Sequence, residues 1–571
     1  MKKTGAEIVW EMLDREGVKV VFGIPGGTIM HTYHPRQNYG IHHVLMRHEQ
    51  CAAHAADGYA RVSGKVGVAI ATSGPGATNL VTGIATAALD SSPIVCITGQ
   101  VQTYLIGTDA FQEIDITGIT LPITKHNYLV TDVNDLAPTI HEAFHIARSG
   151  RPGPVLIDLP KDVQIASTEF EPEALPTAVS LPGYRPVGDA NPAAIGRAAE
   201  LINAARRPII LAGQGVLMSG AMQELRAFSE KAQIPVGLTL LGKGGFPESH
   251  PLALGMMGMH GEAFVNQAIQ EADLILAFGM RFDDRVTGTL ASYSPKARRV
   301  HIDADAAELN KIVKVDVPIL GDLRQVLGQL LPLVTSTTHP EWLAQISTWR
   351  GDSDFRNILN RPENGHLVAA HFINDIWEAT KGEAIVVSDV GQHQMWTAQF
   401  YRNDIPHSVV TSGGLGTMGF GLPAAIGAQF AQPDREVWVI AGDGGFQMTM
   451  HDLGTIIQEK LPIKIALSDN GYLGMVRQWQ ELFYDKRYEA TRLVNPDFVK
   501  LVEAYGIPSW RATNRTEARA AIAEARAHDG PTFIDFQIAD VGEEGNVYPM
   551  VPAGAALHEM IRRSQPDSST D

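Results

Sequence analysis

The chain has 571 residues, a mass of 61.8 kDa, 44% hydrophobic and 19% charged residues, which is too long for one hydrophobic core and excludes a disordered or fibrous protein. Its formal charge of −17, with no run of Lys or Arg, lacks the basic footprint a nucleic-acid partner requires.

Only Cys51 and Cys96 occur, too few for a disulfide framework, which favours a reducing compartment. The start runs straight into an amphipathic pattern with acids at Glu7, Glu11 and Asp14, unlike the apolar core of a signal peptide. No apolar stretch reaches the roughly 18 residues of a membrane span. The expectation is a cytoplasmic protein with neither membrane nor nucleic acid as partner.

In chain order, short apolar runs recur between helical patterns: Val66–Thr72, Pro93–Thr98, Val155–Asp158, Pro208–Ala212, Leu274–Phe278, Val300–Ile302, Ala384–Ser388, Val437–Ala441, Ile463–Ser468 and Thr532–Phe536. Most are apolar at successive positions, as strands covered by helices on both faces are. The reading is α/β, with three doubly wound parallel-sheet domains. Two Pro-rich or turn-rich segments, Ser167–Pro192 and Val334–His366, read as linkers or as extended connections at domain edges. They place domains near 1–165, 190–335 and 365–550, followed by a tail at 551–571 that is polar and frayed from Ser564.

Glu49 stands in Arg47-His48-Glu49-Gln50, where a short apolar strand gives way to the Ala-rich helical pattern Cys51–Arg61. From local context alone it is a first-turn acid favoured by the helix dipole. In the last third, Val437–Ala441 ends in Gly442-Asp443-Gly444-Gly445, and Ile463–Ser468 ends in Asp469-Asn470-Gly471. Carboxyl ends of neighbouring parallel strands meet at a crevice, so Asp443 and Asn470 can converge there. A hard divalent cation such as Mg2+ takes oxygen ligands shared with phosphates, so Asp443, Asn470 and a backbone carbonyl near Tyr472 suffice. Glycines allow a diphosphate close to the backbone.

A Gly-Asp-Gly followed, after some two dozen residues, by an Asn at the next strand end resembles the signature of thiamine-diphosphate enzymes. The segment Arg47–Arg61 together with Thr72-Ser73-Gly74-Pro75-Gly76-Ala77-Thr78-Asn79 is similar to the pyrimidine-binding domain of acetohydroxyacid synthases. The likeness extends through Gly391-Gln392-His393-Gln394-Met395-Trp396, Thr411–Gly421 and Tyr472-Leu473-Gly474-Met475-Val476-Arg477-Gln478-Trp479.

That resemblance implies thiamine diphosphate and Mg2+ as cofactors, with Glu49 activating the aminopyrimidine and the diphosphate held by a second subunit. Pro25 and Asn79 lie at the pyrimidine side. Gly391, Gln392 and His393 would belong to the diphosphate loop, with Gly444 and Gly445 beside Asp443. Gly416 would bind the cofactor from the wedge segment and Gly474 and Met475 from the substrate segment, and Met418 would be the wedge that bends the cofactor, though local context alone allows a core methionine. Trp479 would read the acceptor, and Arg285 would bind its carboxylate unless it is tied up with Asp283 or Asp284. Gln112 and Lys161 would line the entrance, or equally be solvated surface residues. The middle segment resembles the family's FAD-binding domain at Gly213, Met259, His260, Gly279, Arg281, Asp283, Arg285, Val286, Asp303, Gly321 and Asp322, with Arg151 contributed by the first domain. Such an FAD would do no net redox work.

The implied reaction decarboxylates pyruvate and condenses the two-carbon unit with pyruvate or 2-ketobutyrate, giving 2-acetolactate or 2-aceto-2-hydroxybutyrate for branched-chain amino-acid biosynthesis. A homodimer or dimer of dimers follows, and a regulatory small subunit stays open. The alternatives are a pyruvate oxidase, another 2-keto-acid carboligase such as glyoxylate carboligase, or a silent protein of the same fold. The chain departs from the family pattern at His31, His34, Cys51 and Asp469.

Overall fold

Each of the ten apolar runs forms a strand in the computed structural model, which describes residues 1–171, 173, 179–361, 365–539 and 544–565. With eight further strands they build three six-stranded sheets, parallel throughout. Their central strands are buried along their length, as helices on both faces require.

The first sheet runs in the order His42–Leu45, Val20–Gly23, Gly67–Ala71, Ile94–Gln100, Val155–Pro160, His126–Leu129. The second runs Ala253–Met256, Val236–Leu238, Pro208–Ala212, Leu274–Phe278, Arg298–Asp303, Val317–Leu320. In the third, Val409–Thr411 and Ile385–Ser388 precede Val437–Gly442, Lys464–Asp469, Thr532–Gln537 and Ser509–Ala512. The order reverses once in the second sheet and twice in the first and third, where His126–Leu129 lies outside Val155–Pro160 and Ser509–Ala512 outside Thr532–Gln537; ligands of open α/β sheets bind outside the carboxyl ends at the inner reversals. Those reversals lie between Val20–Gly23 and Gly67–Ala71, between Pro208–Ala212 and Leu274–Phe278, and between Ile385–Ser388 and Val437–Gly442. Pro25, the pair Gly213 and Gly279, and the pair Gly391 and Asp443 therefore stand at the three crevices.

The first and third sheets are joined through two nearly all-buried helices, Glu49–Ser63 and Gly421–Ala431. Their contact needs glycine: a Cβ on Gly58 would lie 2.1 Å from the Ala424 carbonyl oxygen, and one on Gly427 would lie 1.8 Å from that of Ala55. Glu49 is the first residue of one of these helices, so the packing fixes the direction of its helix.

The two expected linkers contain ordered structure. Ser167–Glu169 pairs antiparallel with Lys2–Thr4, while residues 172 and 174–178 lie outside the described residues. Pro340–Phe355 is a helix that buries Trp342 and Ile346, with Trp342 Nε1 donating to the Pro208 carbonyl at 3.0 Å; of Arg361–Gly365, residues 362–364 are not described. The tail also differs from its expectation over its first part. Val551 and Leu557 are buried in the central core, and the Val551 amide donates to the Met259 carbonyl at 2.8 Å; of the stretch expected to fray, residues 566–571 lie outside the described residues. Among the described residues no helix is long and apolar enough to cross a membrane.

Candidate active site

Glu49 follows the strand His42–Leu45, and the His48 imidazole caps its helix by accepting from the Gln50 amide at 3.1 Å. The Glu49 carboxyl is largely buried at 9% exposure, and Asn79 Nδ2 donates to its Oε2 at 2.9 Å. Gly76 passes so near that a Cβ there would lie 3.2 Å from Oε1. Beside it, Pro25 is exposed, and Thr28 Oγ1 is 3.0 Å from Thr72 Oγ1, which draws the Pro25-Gly26-Gly27 loop onto Thr72. Gln112 has a left-handed backbone, φ 60°, and packs on Gly74, the turn residue ahead of Asn79. The carboxylate of Asp162, next to Lys161, accepts from the Thr103 amide at 3.0 Å, so the loops of Gln112 and Lys161 are tied to each other. Both side chains are partly exposed, which leaves their two readings open. His31 and His34 lie on short helical turns after the Pro25 loop, with His34 exposed.

At the third sheet, Asp443 begins the helix Asp443–Thr449, where its Oδ1 accepts from the Gly444 amide at 3.0 Å. Asn495 Nδ2 donates to Asp443 Oδ2 at 2.7 Å and to Asp469 Oδ1 at 2.8 Å, and Gln447 orients that amide by donating to Asn495 Oδ1 at 3.1 Å. Burial above all, with Asp469 facing it, pushes the Asp443 carboxyl up to about 7. Two carboxylates around one amide form a site whose charge balance is completed by a cation. Asn470 Oδ1 accepts from the Tyr472 amide at 3.0 Å and keeps a free lone pair. Gln392, Asn470 and Gly474 converge, since a Cβ on Gly474 would lie 2.1 Å from Gln392 Oε1 and 2.7 Å from Asn470 Nδ2. Arg477 stacks over the Tyr472 ring at 4.4 Å and steadies the turn. The all-oxygen set of Asp443, Asn470 and the Tyr472 carbonyl fits Mg2+.

His393 is buried against Gly391 and Gly442, accepts from the Gly442 amide through Nε2 at 3.3 Å, and is pushed down to about 3 by burial, so it is neutral. Gly445 must lack a side chain, because a Cβ would meet Asp389 Oδ2 at 2.0 Å. Met418 reaches over Gly444, its Cε 3.4 Å from where a Cβ would stand.

A cavity of about 990 Å³, at the upper end of ligand pockets, opens between the central unit and the third sheet. Met259, His260, Gly279, Arg281, Asp283 and Arg285 line it, with Val286, Asp303, Asp322 and Arg151. Gly391, Gly416, Met418, Met475 and Trp479 line it from the third unit. Gly213 and Gly321 act one step back: the Gly213 amide donates to the Phe278 carbonyl at 2.9 Å and the Gly321 amide to the Asp303 carbonyl at 3.0 Å. Arg151 Nη1 pairs with Glu308 at 2.8 Å and bridges the first and central units. Among the described residues His260 Nδ1 is buried without a hydrogen-bond partner, as a group awaiting a ligand would be. Arg285 is 60% exposed, 3.7 Å from Asp284 and 3.4 Å from the Met259 sulfur, so its fork is largely available to an anion.

Asn495 and Asp389 were not singled out in the sequence. Asp389, at the end of Ile385–Ser388, is buried, accepts from the Gly419 amide at 2.9 Å, and is pushed up to about 7 by burial. Asn495 lies in an aperiodic loop, and the only signal for it is the unexpected acid Asp469, which needs a donor. Among the described residues, no hydrogen bond or ion pair joins Glu49 to Asp443, Asp469 or Asn470. Large apolar side chains instead lie open on both units: Phe111 is 88% and Tyr104 71% exposed on the first, Val494 is 96% and Tyr484 60% exposed on the third.

Residues 3–119 match the N-terminal TPP binding domain of thiamine pyrophosphate enzymes, 195–330 the central domain and 389–536 the C-terminal TPP binding domain. The chain is 49% identical to the acetolactate synthase large subunit of Corynebacterium glutamicum, over 97% of this chain and 89% of that protein. It is 47% identical to the probable acetolactate synthase large subunit of Methanocaldococcus jannaschii, over 98% and 95%. To an acetolactate synthase of Arthrospira platensis it is 48% identical, over 98% and 97%.

Proposed function

Because the chain belongs to the acetolactate synthase large-subunit family of thiamine pyrophosphate enzymes, we propose that it decarboxylates pyruvate and joins the two-carbon remainder to a second 2-keto acid. With pyruvate as acceptor the product is 2-acetolactate; with 2-ketobutyrate it is 2-aceto-2-hydroxybutyrate. These feed branched-chain amino-acid synthesis. The carrying observation is that Arg285, Trp479 and Met418 line one cavity.

Thiamine diphosphate, when bound, supplies a carbon nucleophile and an electron sink for the decarboxylation. Asp443, Asn470 and the Tyr472 carbonyl hold Mg2+, and Gly391, Gln392, His393, Gly444, Gly445 and Gly474 give the diphosphate a close backbone. Met418, which reaches over Gly444, would pack its flexible thioether against the bound cofactor. Glu49, pinned through Oε2 by Asn79, exchanges a proton at the aminopyrimidine through its other oxygen. Arg285 binds the acceptor carboxylate bidentately, and Trp479 touches the extra methyl of 2-ketobutyrate. Gln112 and Lys161 line the entrance, where the Lys161 cation draws in keto-acid anions.

Arg151, Met259, His260, Gly279, Arg281, Asp283, Val286, Asp303 and Asp322 would hold FAD in the central crevice, with Gly213 and Gly321 shaping the backbone behind them. The part of FAD is structural, since the condensation transfers no net electrons. Glu49 works in a neighbour's site, which the separation of the two half-sites and the open apolar side chains on both units support. The pairs form a homodimer or a dimer of dimers, and the relatives' name of large subunit supports a smaller regulatory partner. The free, buried cysteines support a reducing, cytoplasmic setting.

Pyruvate and 2-ketobutyrate offered together, with both products measured with and without added FAD, test this reading. Both hydroxy acids should form, one CO2 per product, with no electron acceptor consumed. Acceptor consumption in step with CO2 would make the protein an oxidase instead.

A further inference from the structure

Outside this machinery, three side chains from opposite ends of the sequence meet. Cys51 Sγ lies 3.5 Å from His451 Nε2, and His451 Nε2 lies 3.6 Å from Asp452 Oδ2. The three ligand atoms are all within 4.8 Å of one another. Asp452 is fully buried, and while its Oδ1 accepts from the Arg47 amide at 2.9 Å and the Thr455 hydroxyl at 2.7 Å, its Oδ2 has no hydrogen-bond partner among the described residues. The polar groups facing that oxygen are the Cys51 thiol and the His451 imidazole, and the charge of a buried carboxylate held between two such ligands is answered by a cation.

We propose that Cys51, His451 and Asp452 form a binding site for a zinc-class divalent ion. Tetrahedral zinc with Zn–S of about 2.3 Å and Zn–N or Zn–O of about 2.0–2.2 Å sets sulfur-to-nitrogen and nitrogen-to-oxygen edges of roughly 3.5 and 3.4 Å. The observed 3.5 and 3.6 Å match those two edges, and the third, from Cys51 Sγ to Asp452 Oδ2, is within 4.8 Å. One thiolate, one imidazole and one carboxylate select zinc or cobalt over the hard Mg2+ of the diphosphate site. Arg47, whose amide donates to Asp452, has its guanidinium engaged elsewhere, donating to the Leu45 carbonyl at 2.8 Å and to Gln458 at 3.0 Å. Cys51 and Asp452 form the inner side, whereas the His451 side chain is 38% exposed and opens the fourth position to water. On binding, the Cys51 S–H bond breaks, the sulfur–metal bond forms and the proton leaves to solvent, with no change of oxidation state.

The ion would join two turns that bear on the half-sites of one chain. Cys51 is in the first turn of the helix begun by Glu49, and His451 and Asp452 form the turn after the helix begun by Asp443. It therefore acts as a clamp between the first and third units of one protomer.

The test uses the full-length enzyme with thiamine diphosphate and excess Mg2+, titrated with Co2+. One equivalent should bind with a thiolate-to-cobalt charge-transfer band in the near ultraviolet and tetrahedral bands in the visible. Cys51→Ala should lose the charge-transfer band, and His451→Gln should weaken binding by more than about 100-fold, beyond the loss of an outer partner. Cys96, the only other cysteine, is fully buried in a central strand and offers a built-in control. Zn2+ should raise the melting temperature of the parent and of neither variant. Absence of a charge-transfer band in the parent, or an unchanged one in Cys51→Ala, would overturn the site. Far-ultraviolet circular dichroism of both variants identifies a folding failure, and Asp452→Asn then serves as the third ligand variant.

Discussion

The two carboxylates at the centre of this account sit in opposite surroundings. Among the described residues Glu49 has one side-chain amide partner, Asn79, and Gly76 passes close to its other oxygen. Asp443 is buried opposite a second acid, shares the amide of Asn495 with it, and is backed by Gln447. A group that exchanges a proton with a ligand needs one oxygen fixed and the other available, whereas a metal ligand needs a rigid cage whose charge is completed by the ion. The departure Asp469 belongs to the second kind of site, and Asn495 is what makes it tolerable without a metal.

Breaking the comparison at its proton-exchanging side should have the largest effect. Glu49→Gln keeps the hydrogen bond to Asn79 in kind but removes the exchangeable proton, so kcat for 2-acetolactate should fall by about 10²–10⁴-fold with Mg2+-dependent thiamine diphosphate binding retained. At the other side, Asp443→Asn should abolish Mg2+-dependent cofactor retention in a gel-filtration assay. It should also change the pH dependence of stability in the metal-free protein. The folded Asp443 carboxyl is raised from 3.8 to about 7, so the folded state holds more protons than the unfolded one between those values. The parent should lose stability relative to Asp443→Asn as pH rises across that window, and Mg2+ should close the gap; denaturant melts at several pH values measure it.

Gly427→Ala sharpens the comparison through the scaffold, because its Cβ would press on the Ala55 carbonyl in the helix that carries Glu49. A loss of about 1–3 kcal/mol in unfolding free energy is expected, with activity falling only where the fold is populated less. The smallest effect belongs to Trp479→Leu, which should reduce the preference for 2-ketobutyrate over pyruvate by about 1–3 kcal/mol in product competition while leaving pyruvate decarboxylation in place.

Most inner strands are legible as apolar runs and most edges are not, although the buried inner strands Val20–Gly23 and Val236–Leu238, each containing a glycine, are missed as well. Val437–Gly442 and Leu274–Phe278 are buried on both faces and therefore read as continuous apolar runs, while flank strands such as His126–Leu129 and Ser509–Ala512 are partly exposed and mixed in character. Pro340–Phe355 escaped because only Trp342 and Ile346 of its sixteen residues are buried, too few for a periodic stripe. At the candidate site, residues at strand ends were legible because the sheet order itself brings them to the crevices. Asn495, Asp389 and the meeting of Cys51 with His451 were not, since their partners lie far off in the sequence or in loops whose course no local pattern sets.

Subunit complementation tests the sharing of the site most directly. Glu49→Gln and Asp443→Asn chains, each inactive alone, should regain acetolactate synthesis when co-expressed, because one site of each mixed dimer then holds an intact Glu49 and an intact Asp443. Verified mixed dimers with no activity above the single variants would place both carboxylates in the same chain's site and contradict the account.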